Sequence, residues 1–139
     1  MSLASRERAA LSDEFDRSGP GRPTLCDGWL ARELLAHLLV RERQPWASAG
    51  ILLPALAPVT ERAMRGFDTM PWAQRVGLLR AGPPVWSPFR PARVDAAANG
   101  AELLVHHEDL RRGEPGWEPR PPDASATGRR GRWCGARPA

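Results

Sequence analysis

The sequence contains no lysine, only three histidines and only two cysteines in 139 residues. All 20 basic residues are arginine, a bias that GC-rich coding produces and that carries little information about a ligand. Cys26 and Cys134 lie far apart in the chain, which argues against a disulfide framework. Two cysteines also cannot build a thiolate-rich zinc site without histidine. A metal site in this chain would therefore depend on its few histidines.

Long hydrophobic runs are also missing. No apolar stretch approaches the roughly 18 to 20 residues that span a bilayer, and the N-terminus lacks the apolar segment of a secretory signal. The mean hydropathy of -0.44 is ordinary for a soluble protein. We therefore expect a cytoplasmic protein that does not bind a membrane.

The positive charge is confined to one end of the chain. The net charge of +4 and the pI of about 10.7 are compatible with nucleic-acid binding. However, residues 1–119 hold 15 arginines and 15 acidic residues, whereas residues 120–139 hold five arginines and a single acid, Asp123. A duplex-binding domain needs its basic patch on the folded body. We therefore expect no nucleic-acid partner for the body.

Hydrophobic periodicity predicts an all-α fold. Ser2 is suited to cap a first helix, and Asp95 to cap the last one. In the second helix the leucines are expected to face inward, with Arg41 and Glu42 among the outward residues. Residues 46–58 fit either a packed loop or a short irregular helix. The predicted helices cover residues 3–17, 30–43 and 95–112, with residues 59–66 and 71–80 forming one interrupted helix or two short ones.

The C-terminal composition differs from that of the rest of the chain. Residues 119–139 are rich in Arg, Gly and Pro and contain no aliphatic side chain larger than alanine. Such a segment cannot form a core. We therefore predict one helical domain over residues 1–118 and a disordered tail over residues 119–139. Because residues 120–139 contain no histidine, we expect them to be dispensable for a metal site.

Three residues form a candidate metal site. Glu102 and His106 are four positions apart on one predicted helix, about 40° apart around its axis, so that both side chains can reach one ion. His37 lies beside the inward leucines of another helix, where an unpaired imidazole would be costly to bury. A His-Glu-His set leaves a coordination position open for water or substrate. The alternative is a surface pair of Glu102 and His106, with His37 a core histidine bonded to a carbonyl.

Four neighbouring residues have two interpretations each. Asp109 either orients the imidazole of His106 or forms an exposed pair with Arg112. His107 is rotated by about 100° from His106, so it is either a solvated side chain or a proton shuttle. Trp29 is interpreted as a core anchor in preference to a binding platform. Cys26 could reach the site, but it also fits the role of a small buried thiol.

Two motifs carry a family resemblance. The first is Cys26-Asp27-Gly28-Trp29, followed by Leu34 and by Ala36-His37-Leu38. The second is the stretch from Ala101 to Arg112, which reads AELLVHHEDLRR. Together they resemble the DinB-like, mycothiol-dependent maleylpyruvate isomerase metal-binding family, and in particular its uncharacterised bacterial metal-binding branch. The resemblance covers residues 3 to about 118.

The resemblance implies a four-helix bundle of DinB type. It also implies a zinc-like ion held by His37, Glu102 and His106, and the use of the small thiol mycothiol. This chain differs from relatives in two ways. Leu30 replaces the usual Ser or Thr cap, so Asp27 or Gly28 is expected to cap the second helix. Relatives also continue beyond the position of Trp117 into ordered structure, so we interpret the C-terminus as truncated or frameshifted.

The expected function is that of a metal- and thiol-dependent isomerase or transferase. A bound ion would take up a thiol, lower its pKa and present a thiolate nucleophile to a substrate that the sequence does not identify. The first alternative is a non-catalytic bundle in which the ion ties two helices together. The second is a metal-free bundle that acts through protein contacts.

Overall fold

The structure is a computed structural model that describes residues 1–121. In that range the chain forms five α-helices, two short 3-10 helices and no strand, which confirms the all-α prediction. No helix among these residues is long and apolar enough to cross a lipid bilayer. The α-helices are α1 (Leu3–Ser18), α2 (Ala31–Arg43), α3 (Ala57–Arg65), α4 (Trp72–Ala81) and α5 (Ala92–Arg111), and the 3-10 helices are Ala47–Ile51 and Pro54–Leu56.

The helices pack around one apolar core. Helix α1 lies along α5 and α4, and α2 packs against α3 and α4. The inward leucines predicted for α2 are buried, as are Leu11 and Phe15, which lie four positions apart on one face of α1. The DinB-type arrangement of four helices stays a prediction, and residues 122–139 of the tail predicted over residues 119–139 lie outside the described residues. The largest buried apolar side chains are Leu11, Phe15, Leu34, Leu35, Leu38, Leu39, Val40, Val76, Leu79, Leu103 and Leu110.

Helix α2 begins without a side-chain cap. The expectation that Asp27 or Gly28 would cap it was wrong, because Leu30 occupies the N-cap position. The Leu30 N–H instead donates to the side chain of Glu33 at 2.9 Å. The next amides donate to carbonyls of the preceding loop, for example Ala31 N–H to the Arg22 carbonyl at 2.8 Å. Backbone acceptors and one glutamate therefore replace the missing hydroxyl.

Helix α5 begins three residues earlier than predicted. Asp95 is not its N-cap, because Pro91 occupies that position and Asp95 lies in the first turn. The Asp95 carboxylate is engaged elsewhere: it accepts from Asn99 at 2.8 Å and from Arg8 at 2.7 Å. A proline next to the first turn is well suited to a helix start, since its missing N–H has no partner there in any case.

A buried ion cluster joins three helices. Arg8 of α1 pairs with Glu42 of α2 and with Asp95 of α5. Glu42 was predicted to face outward, but it is only 2% exposed because Arg8 supplies its partner. Burial raises the pKa of Glu42 above 4.5, while the charge of Arg8 acts in the opposite direction. Arg8 therefore holds together the N-terminal half of α5 and the C-terminal half of α2.

The loop between α1 and α2 is fastened to the C-terminal end of α5. The Leu25 N–H donates to the Asp109 carbonyl at 3.0 Å. Gly113, just after α5, approaches the same loop so closely that an added Cβ would lie 2.0 Å from the Pro23 carbonyl oxygen. Only glycine permits this approach without a backbone shift. The contact places Cys26 directly beside Asp109.

Candidate metal centre

The structure brings the three predicted ligands together. His37 on α2 faces Glu102 and His106 on α5, and one ligand atom from each lies within 4.8 Å of the others. The Nε2 atom of His106 is 3.3 Å from Glu102 Oε1, and the Nε2 atom of His37 is 3.7 Å from the same oxygen. The two imidazole rings are 5.1 Å apart. His37 is nearly buried, whereas Glu102 is about one-third exposed.

These separations match the size of a first-row divalent ion. Zinc binds histidine nitrogen and carboxylate oxygen at about 2.0–2.2 Å, so two ligands of one tetrahedral ion lie about 3.4 Å apart. The observed 3.3 and 3.7 Å differ from that spacing by a few tenths of an ångström. Only small side-chain adjustments would be needed for these atoms to share an ion.

His106 has a carboxylate at each of its ring nitrogens. Its Nδ1 lies 3.0 Å from Asp109 Oδ2, and its Nε2 lies 3.3 Å from Glu102 Oε1. A neutral imidazole carries a single N–H and can donate to one of them only. If Nδ1–H donates to Asp109, the Nε2 lone pair faces a carboxylate oxygen. A cation between Nε2 and Glu102 removes that repulsion, and the acceptor at Nδ1 fixes the tautomer that leaves Nε2 free to bind.

Glu102 is held in its ionised form. The nearby imidazole of His37 lowers the pKa of Glu102 to about 2; burial opposes this shift, and the charge of Arg41 assists it. The carboxylate is therefore negatively charged throughout the physiological pH range. An anionic oxygen beside two imidazole nitrogens is a donor set that suits zinc and similar ions.

Arg41 was predicted to face outward, but it turns toward α5. It donates to the Ala98 carbonyl at 2.9 Å and to Asn99 at 3.3 Å. Its guanidinium is also 3.5 Å from the Glu102 oxygen that faces both histidines. The sequence did contain a signal for this position, because Arg41 follows His37 by one helical turn.

Cys26 lies on the other side of His106. Its thiol donates to Asp109 Oδ2 at 3.4 Å, next to the Nδ1 edge of the His106 ring. Burial raises the pKa of Cys26 to about 11, and the charge of Asp109 adds to this shift. Cys26, His106 and Asp109 thus form a second set of close ligand atoms that shares His106 with the first. Asp109 contacts His106, and of its two predicted interpretations this contact favours orientation of the imidazole.

His107 is neither solvated nor directed at the candidate ion. It is 5% exposed, and its Nδ1 lies 3.0 Å from Glu7 on α1. Burial lowers the pKa of His107, and the hydrogen bond to Glu7 acts in the opposite direction. Glu7 in turn accepts from Arg120 at 2.8 Å, and Arg120 also pairs with Glu108. The reading of His107 as a solvated side chain was therefore wrong.

Arg120 forms ion pairs near the end of the described chain, and a truncation tests how much they stabilise the fold. We expect a chain ending at Pro119 to unfold at a temperature a few degrees lower than one ending at Pro121, because only the longer chain retains the pairs of Arg120 with Glu7 and Glu108. Arg120 is about one-third exposed, so the free-energy difference should be only about 1 kcal/mol. Thermal denaturation of both chains measures it, and equal unfolding temperatures would contradict it.

A cavity lies beside His37 on the α3 side. It has a volume of about 290 Å³ and is bounded by His37, Trp29, Ile51 and Met64, with Glu61 as its acidic residue. The Trp29 ring lies 5.3 Å from the His37 ring. Trp29 therefore packs against the core, as interpreted from the sequence, and also lines a space large enough for a small molecule beside one candidate ligand.

Comparison with protein-family models, curated proteins and solved structures found no match at all.

Proposed function

We propose that this chain is a divalent-metal-binding helical bundle of DinB type in which His37, Glu102 and His106 hold one zinc-class ion. The ion would bind a small thiol such as mycothiol and lower its pKa, which supplies a thiolate for isomerase- or transferase-type chemistry. The observation that carries this proposal is the convergence of two Nε2 atoms on one carboxylate oxygen, at 3.3 and 3.7 Å.

Three further observations support an ion that can exchange ligands. Three protein ligands leave a tetrahedral ion one free position. The cavity beside His37 offers a route to that position for a small thiol. The Asp109 carboxylate lies beside Nδ1 of His106, where a metal-ligating histidine usually has a hydrogen-bond acceptor. The chain's own residues would then orient the ion, while Trp29 and Met64 would exclude water from one side of it.

A purely structural ion is the second candidate. Helices α2 and α5 do not pack closely along their backbones in the described part of the chain, and side chains such as Arg41 bridge the space between them. An ion bound to His37 and His106 would tie these two helices together and add its binding free energy to the fold. Ligand exchange at the ion distinguishes this role from the thiol-activating one.

Cobalt-substituted protein provides the test of thiol binding. A thiolate bound to cobalt gives an intense near-ultraviolet charge-transfer band, which water and carboxylates do not give. We expect mycothiol, or a simpler thiol at higher concentration, to produce this band and to release a proton. The soft thiolate suits the fourth position of the ion.

The Cys26→Ser variant is the matched control. The ligand set that contains Cys26 shares His106 with the candidate site, so a native thiolate ligand would give the band before any thiol is added. A band that appears only on thiol addition, and equally in both proteins, supports the proposal. If the cobalt spectrum does not change when thiol is added to either protein, thiol activation is refuted. The structural role then becomes the better explanation of a bound ion.

Asp109 is expected to tune metal affinity. The Asp109→Ala variant should bind zinc roughly 10- to 100-fold more weakly, because His106 loses the acceptor that orients it. The Asp109→Asn variant keeps an acceptor without the charge and should lose less. Competition with a chromophoric chelator measures both affinities. Equal zinc affinities in all three proteins would show that Asp109 does not contribute to the metal site.

A further inference from the structure

Exposed apolar side chains cluster around the segment that follows α2. Between Pro45 and Thr60 the sequence has no charged residue, and this stretch forms the two 3-10 helices and the start of α3. Its large side chains are strongly exposed, with Leu52 84% and Trp46 67% accessible. We call this surface the apolar end; it comprises Trp46, Ile51, Leu52, Leu53, Leu56, Val59 and Trp86.

Trp46 lies close to two other members of the apolar end, Trp86 and Val59. The Trp46 ring lies 6.0 Å from the Trp86 ring. Trp46 and Val59 line one shallow groove of about 360 Å³ between the segment after α2 and helix α3, and Arg62 is the charged residue of this groove. The backbone beneath is tightly built, since a Cβ on Gly50 would lie 2.4 Å from the Leu56 carbonyl oxygen. The exposed side chains are therefore attached to a closely packed backbone.

The size of this surface exceeds what a soluble monomer normally exposes. Seven large apolar side chains at about 100 Å² each offer roughly 700 Å², while the largest patch on a typical monomer covers about 300–600 Å². A standard interface buries about 800 Å² per partner. The apolar end is thus about as large as one half of a stable dimer interface.

We propose that the apolar end binds the apolar end of a second copy of this chain. In a twofold dimer the same patch lies on both sides of the interface, so any charge in it would face its own copy. The seven side chains of the apolar end carry no charge and so avoid this repulsion, which matches the depletion of charged residues in interface centres. The groove beside Val59 offers space for an aliphatic side chain such as Leu52 of the second copy.

Sedimentation equilibrium of the full chain tests this proposal. We expect a mass of twice 15.3 kDa at about 100 µM and dissociation on dilution. The Leu52→Asp variant should raise the dimer dissociation constant at least about 30-fold, because two carboxylates would enter the centre of the interface. Unchanged helical circular dichroism shows that the variant is folded, and Leu52 is exposed enough for it to remain so.

The Leu3→Asp variant is the matched control, because Leu3 is a partly exposed leucine on α1, which packs on α4 and α5. It should dimerise like the wild type. A wild-type chain that stays monomeric at about 100 µM overturns the proposal. Co-flotation of that monomer with vesicles of phosphatidylcholine and phosphatidylglycerol would then assign the apolar end to a lipid surface. Equal dissociation constants for wild type and Leu52→Asp would overturn the proposed interface.

Discussion

Replacing His106 with alanine is expected to leave the purified protein with less than about one-tenth of an ion per chain, against about one zinc-class ion in the wild type. His106 supplies the Nε2 atom closest to Glu102. Its loss leaves two protein ligands on different helices, and the affinity should fall by more than the roughly 10- to 100-fold typical of outer-shell changes. Elemental analysis of protein made without a histidine tag measures the content.

His107→Gln is the matched control for this experiment. It removes the adjacent histidine of the same helix, whose ring contacts Glu7 and not the candidate ligands. A folded His107→Gln protein should keep its ion. Substoichiometric metal in both the wild type and His106→Ala would count decisively against the site, and so would an undiminished content in His106→Ala.

Arg8→Leu is expected to destabilise the protein by roughly 3–5 kcal/mol, the effect of removing one partner from a buried ion pair. Arg8 is 6% exposed, and its guanidinium is the partner of Glu42, which would remain buried without a counter-charge. The pKa of Glu42 is already raised by burial and would rise further. The folded state then binds this proton more tightly than the unfolded state, so the contribution of Glu42 to the stability of the variant is greatest below pH 4.5 and falls as pH increases.

Chemical denaturation at several pH values measures this loss. The double variant Arg8→Leu/Glu42→Leu, which removes both charges, should recover part of the lost stability and lose the added pH dependence. Arg32→Leu, at an exposed position, should change the free energy of unfolding by no more than about 0.5 kcal/mol. If Arg8→Leu and Arg32→Leu are equally stable, the buried cluster contributes little.

The sequence predicted the parts of the fold that depend on local patterns. Ser2 was expected to cap α1, and its hydroxyl accepts from Ser5 N–H at 3.1 Å. The leucine stripe of α2 and the break between α3 and α4 follow from helical periodicity and from proline placement. The two motifs around His37 and His106 predicted a cluster that the structure does bring together.

The errors concern partners that are distant in sequence. Glu42 and His107 looked solvent-facing because periodicity does not reveal that Arg8 and Glu7 lie opposite them. Asp95 had the identity of a good cap but is held by Arg8. A single sequence contains the charges but not their pairing across 34 to 100 positions. Such pairs form only when tertiary packing sets the helix rotations.

During synthesis, helix α1 is made long before helix α5, on which it packs. Leu11 and Phe15 lie on α1, which packs on α5, and the first residue of α5 follows the end of α1 by more than 70 positions. At a synthesis rate of about 5–20 residues per second, the first residue of α5 is made roughly 4–15 s after the last residue of α1. His37 likewise meets His106 only when α5 has emerged. A nascent chain therefore leaves the side of α1 that packs on α5 uncovered until nearly all of the domain has left the ribosome, and it can assemble the candidate centre only as a last step.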